Sequence, residues 1–358
     1  MNITYCWTAP SGYLSACMSE LAARQGINAS LILWESSSEA PFDEASVSSP
    51  RQHVLSESNL HNYAVIKKLV LATRPDVVFI VGWAHFPYVR LVYDNDLRGV
   101  RFVIGVDTPI RFDWRQQFAR LKIGRLLAKV DAVCVPGERS FQVMRYWKVP
   151  GAKISKLFYG VNYNLFSTGS EVRWTSTFKW PRSFVFVGRY VPIKGVDVLV
   201  EAYQMYRQRV ADPWELSLCG TGPLATLLSG VEGVRDLGFV QPADLGEVFR
   251  RAGVFVLPSR LDPWGQAIVE AAAAGLPIVC TQACGASAEM VRDYHNGIVV
   301  PPNDVESLAS AFVWMHEHED RLPAMGKASQ QLAGAYSAER WADNQIELAR
   351  RLCDPKQP

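Results

Sequence analysis

No apolar stretch of the chain approaches the roughly 18 residues that a membrane-spanning helix requires. Nor is there a surplus of charge: 37 Lys and Arg stand against 35 Asp and Glu, a formal charge of +2. A chain so balanced has no global field to recruit nucleic acid, so any polyanion site must be local and no nucleic-acid partner is expected. The seven cysteines form no Cys-x-x-Cys pair, which removes the usual metal-ligand spacing. An odd number, several inside apolar runs, reads as small buried hydrophobes in a reducing cytoplasm, with no metal site. Met1–Pro10 lacks the basic start of a secretory signal. The expected protein is cytoplasmic, soluble or peripheral.

What the chain does have is apolar content enough for two cores: 358 residues, 49% hydrophobic and 20% charged. Short β-branched runs alternate with longer amphipathic stretches, which predicts an α/β fold of two doubly wound, Rossmann-like domains built from βαβ units. In the first half, strands are expected near Ile3–Trp7, Leu31–Trp34, Val77–Val81, Phe102–Val106, Ala132–Val135 and Ile154–Phe158. In the second, they are expected near Phe184–Val187, Glu215–Cys219, Val234–Phe239, Val254–Leu257, Ile278–Cys280 and Ile298–Val300. The composition of Ser167–Pro181 suits a linker, dividing the chain into residues 1–166, a linker at 167–181, and residues 182–337. Residues 338–358 hold a final helix expected to pack back across the cleft. Glu35–Asn59, rich in Ser, Glu and Pro, is expected to be a long surface loop.

Two stretches of the second half carry chemistry. Strand Phe184–Val187 feeds Gly188-Arg189, and Lys194-Gly195 follows just before a helical run. Two cations five residues apart beside a helix N-terminus offer charge and backbone N–H groups to a diphosphate. Taken alone, the same residues fit an ordinary solvated turn equally well. Further on, Asp262 is followed after seven residues by Glu270, and Gly265, Gln266, Ala267 and Ile268 open an Ala-rich helix closed by Gly275 and Pro277. The helix start can present N–H groups to an anion, while a carboxylate over a turn deeper accepts from sugar or ribose hydroxyls. Alone, this pattern too fits a surface charge and an Asp-Pro turn.

Taken together, the order Gly-Arg-x4-Lys-Gly, Gly-Thr-Gly-Pro, Pro-Ser, an acid, seven residues, Glu-Ala and Ala-Gly-Leu-Pro resembles the donor half of family four retaining glycosyltransferases (glycosyl transferases group 1), which have the GT-B fold. The resemblance covers most of Phe184–Tyr336. It implies two domains facing a central cleft and transfer of a hexose from a nucleotide diphosphate sugar to a glycan or lipid-linked acceptor. It also implies that no cofactor or metal is needed. Arg189 and Lys194 match the pair that meets the diphosphate, and Glu270 matches the ribose-binding carboxylate. Phe239 and Val240 match the base-facing segment. Asp262 stands where the family usually has Glu, and with the Gly265–Ile268 backbone it would meet the donor sugar.

The first half matches less well. Gly12 sits where the family has a glycine turn under the sugar phosphate, and Asp107 stands where it often has a catalytic His. His85, in a loop after the third strand, is a second cleft candidate, although a loop His is more often structural. The stretch 111–129 carries Arg111, Arg115, Arg120, Lys122, Arg125 and Lys129 against Asp113 alone, interleaved with Phe112, Trp114, Phe118 and Leu121. Such a segment suits an anionic membrane surface near a lipid-linked acceptor, placing the enzyme at the inner face of the membrane, and equally an ordinary amphipathic helix. Two imitations are set aside. Gly220-Thr-Gly222 resembles a dinucleotide fingerprint in the wrong βαβ unit, and Asp94-Asn-Asp96 reads as a helix-end turn rather than a metal triplet. Two other readings stay open: a noncatalytic GT-B scaffold or partner subunit, and a sugar-nucleotide epimerase or hydrolase.

Overall fold

The computed structural model describes residues 1–35, 42, 49, 51–109, 114–175, 177 and 179–354; of 114, 115 and 117 it describes the backbone alone. The chain forms two compact units. The first comprises Met1–Ser37, Phe42–Gly160 and Ala338–Pro358, and the second Val161–Ser337 together with Ser38–Pro41, which lie outside the described residues.

In the first unit the chain runs β1 (Asn2–Cys6), α1 (Gly12–Ala22), β2 (Asn28–Trp34), β3 (Gln52–Leu55), α2 (Tyr63–Ala72), β4 (Val77–Val81), α3 (Phe86–Leu91) and β5 (Arg101–Gly105). It continues through α4 (Trp114–Lys129), β6 (Ala132–Cys134), α5 (Glu138–Tyr146) and β7 (Ile154–Ser155). The strands form one parallel sheet ordered β3-β2-β1-β4-β5-β6-β7. A parallel sheet buries both faces, so its strands read as continuous apolar runs, as Val77–Val81 does. One face packs on α2, α3, α4 and α5 through Ile66, Tyr88, Ile123 and Met144. The other packs on α1 and on α13 (Ala338–Cys353), where Tyr5 stacks on Phe79 with centroids 4.5 Å apart and meets Trp341 at 5.5 Å. The Trp341 indole donates to Phe158 O at 3.0 Å, so this large ring is buried with its one donor satisfied.

The second unit runs α6 (Tyr163–Ser167), β8 (Ser183–Val187), α7 (Val196–Arg209), β9 (Glu215–Cys219), β10 (Val234–Asp236), α8 (Leu245–Arg250) and β11 (Val254–Leu257). Then follow α9 (Gln266–Ala273), β12 (Ile278–Thr281), α10 (Ser287–Met290), β13 (Gly297–Val300), α11 (Val305–Glu317) and α12 (Leu322–Ala333). Its six strands form a second parallel sheet, ordered β10-β9-β8-β11-β12-β13. Both sheets are doubly wound. Strand order reverses between β1 and β4 in the first and between β8 and β11 in the second, and crevices of such sheets open at these points, beyond the strands' carboxyl ends.

Three expectations are corrected. The stretch 167–181 is not a linker but part of the second unit: Arg173 is buried and donates from Nη2 to the carbonyls of Phe249, Arg250 and Ala252 (2.6, 2.8 and 3.1 Å). Trp180, also buried, donates to Gly253 O at 3.0 Å. The chain instead crosses between units at Gly160, where a Cβ would stand 2.7 Å from Cys17 Sγ and 2.9 Å from Trp341 Cβ, and returns at Ala338. The expected loop Glu35–Asn59 contains β3 and a 3-10 turn over Glu57–Asn59, while 36–41, 43–48 and 50 lie outside the described residues. The strands expected to reach Phe158 and Phe239 end at Ser155 and Asp236, because each chain turns into its following loop there.

Candidate active site

The crevice of the second sheet collects most of the residues singled out above. The loop after β8 carries Arg189 and Lys194, and the loop after its neighbour β11 carries Asp262 and leads into α9 with Gly265 and Glu270. The two loops meet directly: Lys194 Nζ donates to Asp262 Oδ2 at 2.5 Å, with Asp262 buried. A lysine shared with an adjacent carboxylate holds its charge in one place without being used up, since an ammonium has three donors.

Local sequence sets this geometry. Gly195, at φ +71°, ends the short turn Pro192–Lys194 and starts α7, and a Cβ there would stand 2.2 Å from Pro258 O. Only glycine allows that approach in the left-handed region. Arg189 is exposed, and its flanking residues are pinned to the neighbouring loop: Gly188 N–H donates to Cys219 O (2.9 Å) and Tyr190 N–H to Thr221 O (2.7 Å). Gly220-Thr-Gly222 thereby gains a structural explanation. A Cβ on Gly220 would meet Gly188 O at 1.9 Å, and one on Gly222 would meet Tyr190 O at 2.5 Å. These glycines let one loop lie against the loop that carries Arg189.

Asp262 is held by a clasp from the loop after β12. Its N–H donates to Ala283 O (3.2 Å), and its carbonyl accepts from Gly285 (2.9 Å). Gly265, at φ +91°, caps α9. The Ile268 N–H donates to Gly265 O at 2.9 Å, so it is spent within the first turn and is not offered to an anion, contrary to expectation. Glu270, the fifth residue of α9, makes no side-chain hydrogen bond or ion pair among the described residues, and burial pushes its carboxyl up to about 7. A carboxyl raised in this way with no protein partner is a mark of a functional-site candidate. Phe239 and Val240 follow β10 on the far side of β9, beyond Gly238, whose N–H donates to Asp236 Oδ1 at 2.9 Å.

In the first unit, Gly12 opens α1 after β1. Asp107 follows β5 and accepts from the Tyr159 hydroxyl at 2.9 Å. Tyr159 meets Tyr13 edge-on at 5.6 Å and Trp7 at 6.3 Å. Sequence reading missed Tyr159, which lies 52 residues from its partner with no motif joining them. His85 does not present its ring to solvent: it is 5% exposed, with Nε2 2.7 Å from Leu60 O and the ring against Trp34 and Tyr88 at 5.1 and 4.2 Å. Burial lowers its pKa, which favours a neutral core histidine. Asp94 and Asp96 close the end of the α3 region and both pair with Lys67 (3.0 and 2.6 Å), as a helix-end turn does. Among the described residues, no group of His, Cys, Asp and Glu is arranged to hold a metal ion.

The basic stretch forms α4, where Arg120, Lys122, Arg125 and Lys129 are exposed and Phe118 and Leu121 are 59% and 74% exposed. Arg111, Phe112 and Asp113, and the side chains of Trp114 and Arg115, lie outside the described residues. No helix among the described residues is long and apolar enough to cross a membrane.

With this geometry in hand, the second unit can be compared with known proteins. Residues 181–318 match the family model of glycosyl transferases group 1. The site residues Arg189, Lys194, Asp262 and Glu270 all lie inside the matched stretch. Over 181 residues the chain is 32% identical to a D-inositol 3-phosphate glycosyltransferase of Corynebacterium urealyticum, spanning 47% of this chain and 42% of that one. Over 188 residues it is 31% identical to an exopolysaccharide phosphotransferase of Streptomyces coelicolor, spanning 49% of this chain and 20% of that one. The chain thus spans less than half the length of these two relatives. The fold matches that of the Anabaena protein HepE, solved in complex with UDP, with a TM-score of 0.74 and 16% identity over 98% of this chain and all of that one. The architecture is therefore that of the GT-B fold.

Proposed function

We propose that the protein is a retaining glycosyltransferase of the family four type. It moves a hexose from a nucleotide diphosphate sugar to a hydroxyl of a glycan or lipid-linked acceptor. The observation that carries this reading is the Lys194–Asp262 pair joining the loops after β8 and β11, with the α9 N-terminus and the unpartnered Glu270 following in the same loop-helix segment, inside the stretch that matches the group 1 model. Glu270 accepts from the ribose hydroxyls, and Phe239 and Val240 lie along the base. Asp262 takes the sugar hydroxyls with the oxygen that Lys194 leaves open. As the glycosidic bond breaks, negative charge grows on the diphosphate, where Arg189, Lys194 and the Gln266–Ala267 end of α9 meet it. These groups supply the charge compensation, so the proposed reaction calls for no metal. The departing phosphate oxygen takes the acceptor's proton as the acceptor oxygen bonds to the anomeric carbon on the same face, which retains configuration. To Asp107, on the first unit, we assign the role of stabilising the positive charge that develops on that carbon. The reading extends to a cytoplasmic enzyme, peripheral at the inner face of the membrane through α4, and is supported by the exposed Phe118 and Leu121 among cations.

A thermal-shift screen of UDP, GDP and ADP sugars, followed by nucleoside diphosphate release with candidate acceptors, tests it. A donor at about 100 times its Kd adds roughly 2.7 kcal/mol of stability. Absence of any shift overturns the reading, and a shift without turnover moves it to the noncatalytic scaffold.

A further inference from the structure

The Pro192–Lys194 turn is bonded by a side chain that the sequence motifs did not single out. Arg260 lies in the loop between β11 and α9, two residues before Asp262. Through Nη1 its guanidinium donates to Pro192 O at 2.5 Å and to Asp197 Oδ1 at 2.7 Å, and through Nη2 to Asp197 Oδ2 at 2.6 Å. Through Nε it donates to Asn303 Oδ1 at 2.5 Å. Its backbone N–H donates to Ile193 O at 2.9 Å. Both carbonyls immediately before Lys194 thus accept from Arg260, Pro192 O alongside the Gly195 N–H (3.1 Å) and Ile193 O alongside the Leu261 N–H (3.4 Å). Asp197 belongs to the first turn of α7, which Lys194-Gly195 leads into, and Asn303 follows β13. The fork borne by the Asp262 loop thus gathers three other segments: the Lys194 turn, the start of α7 and the loop after β13.

We infer that Arg260 is the positioning residue of the donor site, fixing the turn that carries Lys194 against the loop that carries Asp262 so that the ammonium meets the diphosphate. This rests on the donor reading above. A guanidinium has five N–H donors, and four are already committed, so Arg260 acts on the donor through Lys194 and not by touching it. Lysine has a flexible four-carbon stem, and its head is only as well placed as its backbone. Arginine's fork is pre-organised for a bidentate carboxylate, which a lysine at 260 cannot reproduce.

The test is a set of variants measured by calorimetry against nucleoside diphosphate and monophosphate of whichever base, uridine, guanosine or adenosine, the wild type binds. Arg260→Lys and Asp197→Asn are each expected to lower diphosphate affinity by tenfold or more while leaving monophosphate affinity within twofold. In a Lys194→Ala background, Arg260→Lys should cost nothing further. A role confined to folding would weaken both nucleotides together and cost the same in either background, which would overturn the inference. So would an unchanged diphosphate preference in both single variants. If Arg260→Lys fails to fold, Asp197→Asn carries the same test. Wild type that binds none of the three diphosphates overturns the donor reading itself, whereas wild type that binds with variants unaffected overturns only Arg260.

Discussion

Glu270 shows how a single residue can be tuned at the expense of the fold. Burial raises its carboxyl from 4.5 to about 7. The folded state therefore holds the proton more tightly than the unfolded chain. The stability this gives is fully present below about pH 4.5 and is lost as pH rises through about 7. Glu270→Gln should thus raise Tm by roughly 3 °C at pH 8 and leave it unchanged near pH 4, as scanning calorimetry would report. Ribose hydroxyls donate best to the ionised form, so donor affinity in the wild type should rise between about pH 5.5 and 8, and Gln should flatten that slope while lowering affinity about tenfold. A flat wild-type profile would take Glu270 out of the ribose site. For Asp107, held by the Tyr159 hydroxyl, Asp107→Asn should lower kcat tenfold or more with nucleoside diphosphate affinity nearly unchanged. Turnover within twofold would make it a turn residue. The sequence pointed to Glu270 and Lys194 through spacing in one helix and one loop. It was silent on Lys194 with Asp262, on Tyr159 with Asp107 and on Arg260 with Asp197, because those pairs join positions 68, 52 and 63 residues apart.

Among the elements, the central strands were legible because a doubly covered strand must be apolar throughout. β3 was not, for a matching reason: it lies at the sheet edge and, of Gln52–Leu55, only Leu55 is buried, so no hydrophobic run announces it. The stretch 167–181 misled because a 3-10 turn over Ser170–Trp174 held by one buried arginine has no periodicity to read. The turn before α7 gives an element-level prediction. Gly195→Ala would place a Cβ 2.2 Å from Pro258 O in a left-handed residue, costing about 2 kcal/mol or more in chemical denaturation and displacing Lys194, so donor binding should fall with it. The α4 surface gives another. Each cation near an anionic bilayer contributes about 1 kcal/mol, so replacing Lys122, Arg125 and Lys129 with Gln should abolish most co-sedimentation with phosphatidylglycerol vesicles. Equal sedimentation of wild type and variant would reject a membrane role for this helix.

At the scale of the whole molecule, the repeated βαβ scheme made two halves legible, whereas the crossing point at Gly160 depended on packing by Cys17 and Trp341 that no local composition reports. Apart from 38–41, the second unit is one continuous piece, Val161–Ser337, while the first needs α13 from the other end of the chain. Residues 161–337 expressed alone should therefore fold and bind nucleoside diphosphate. A chain ending at Ser337 should expose the Tyr5–Phe79 face and aggregate, which circular dichroism and light scattering would register. The same arrangement orders events on the ribosome. The second unit can close while synthesis is still under way, but the first must wait, with one side of its sheet covered only in part by α1, until α13 emerges about 190 residues later. At about 5–20 residues per second that delay is on the order of 10 to 40 s. During this window the nascent chain would depend on chaperones, and codon usage after Gly160 would influence yield without altering a single amino acid.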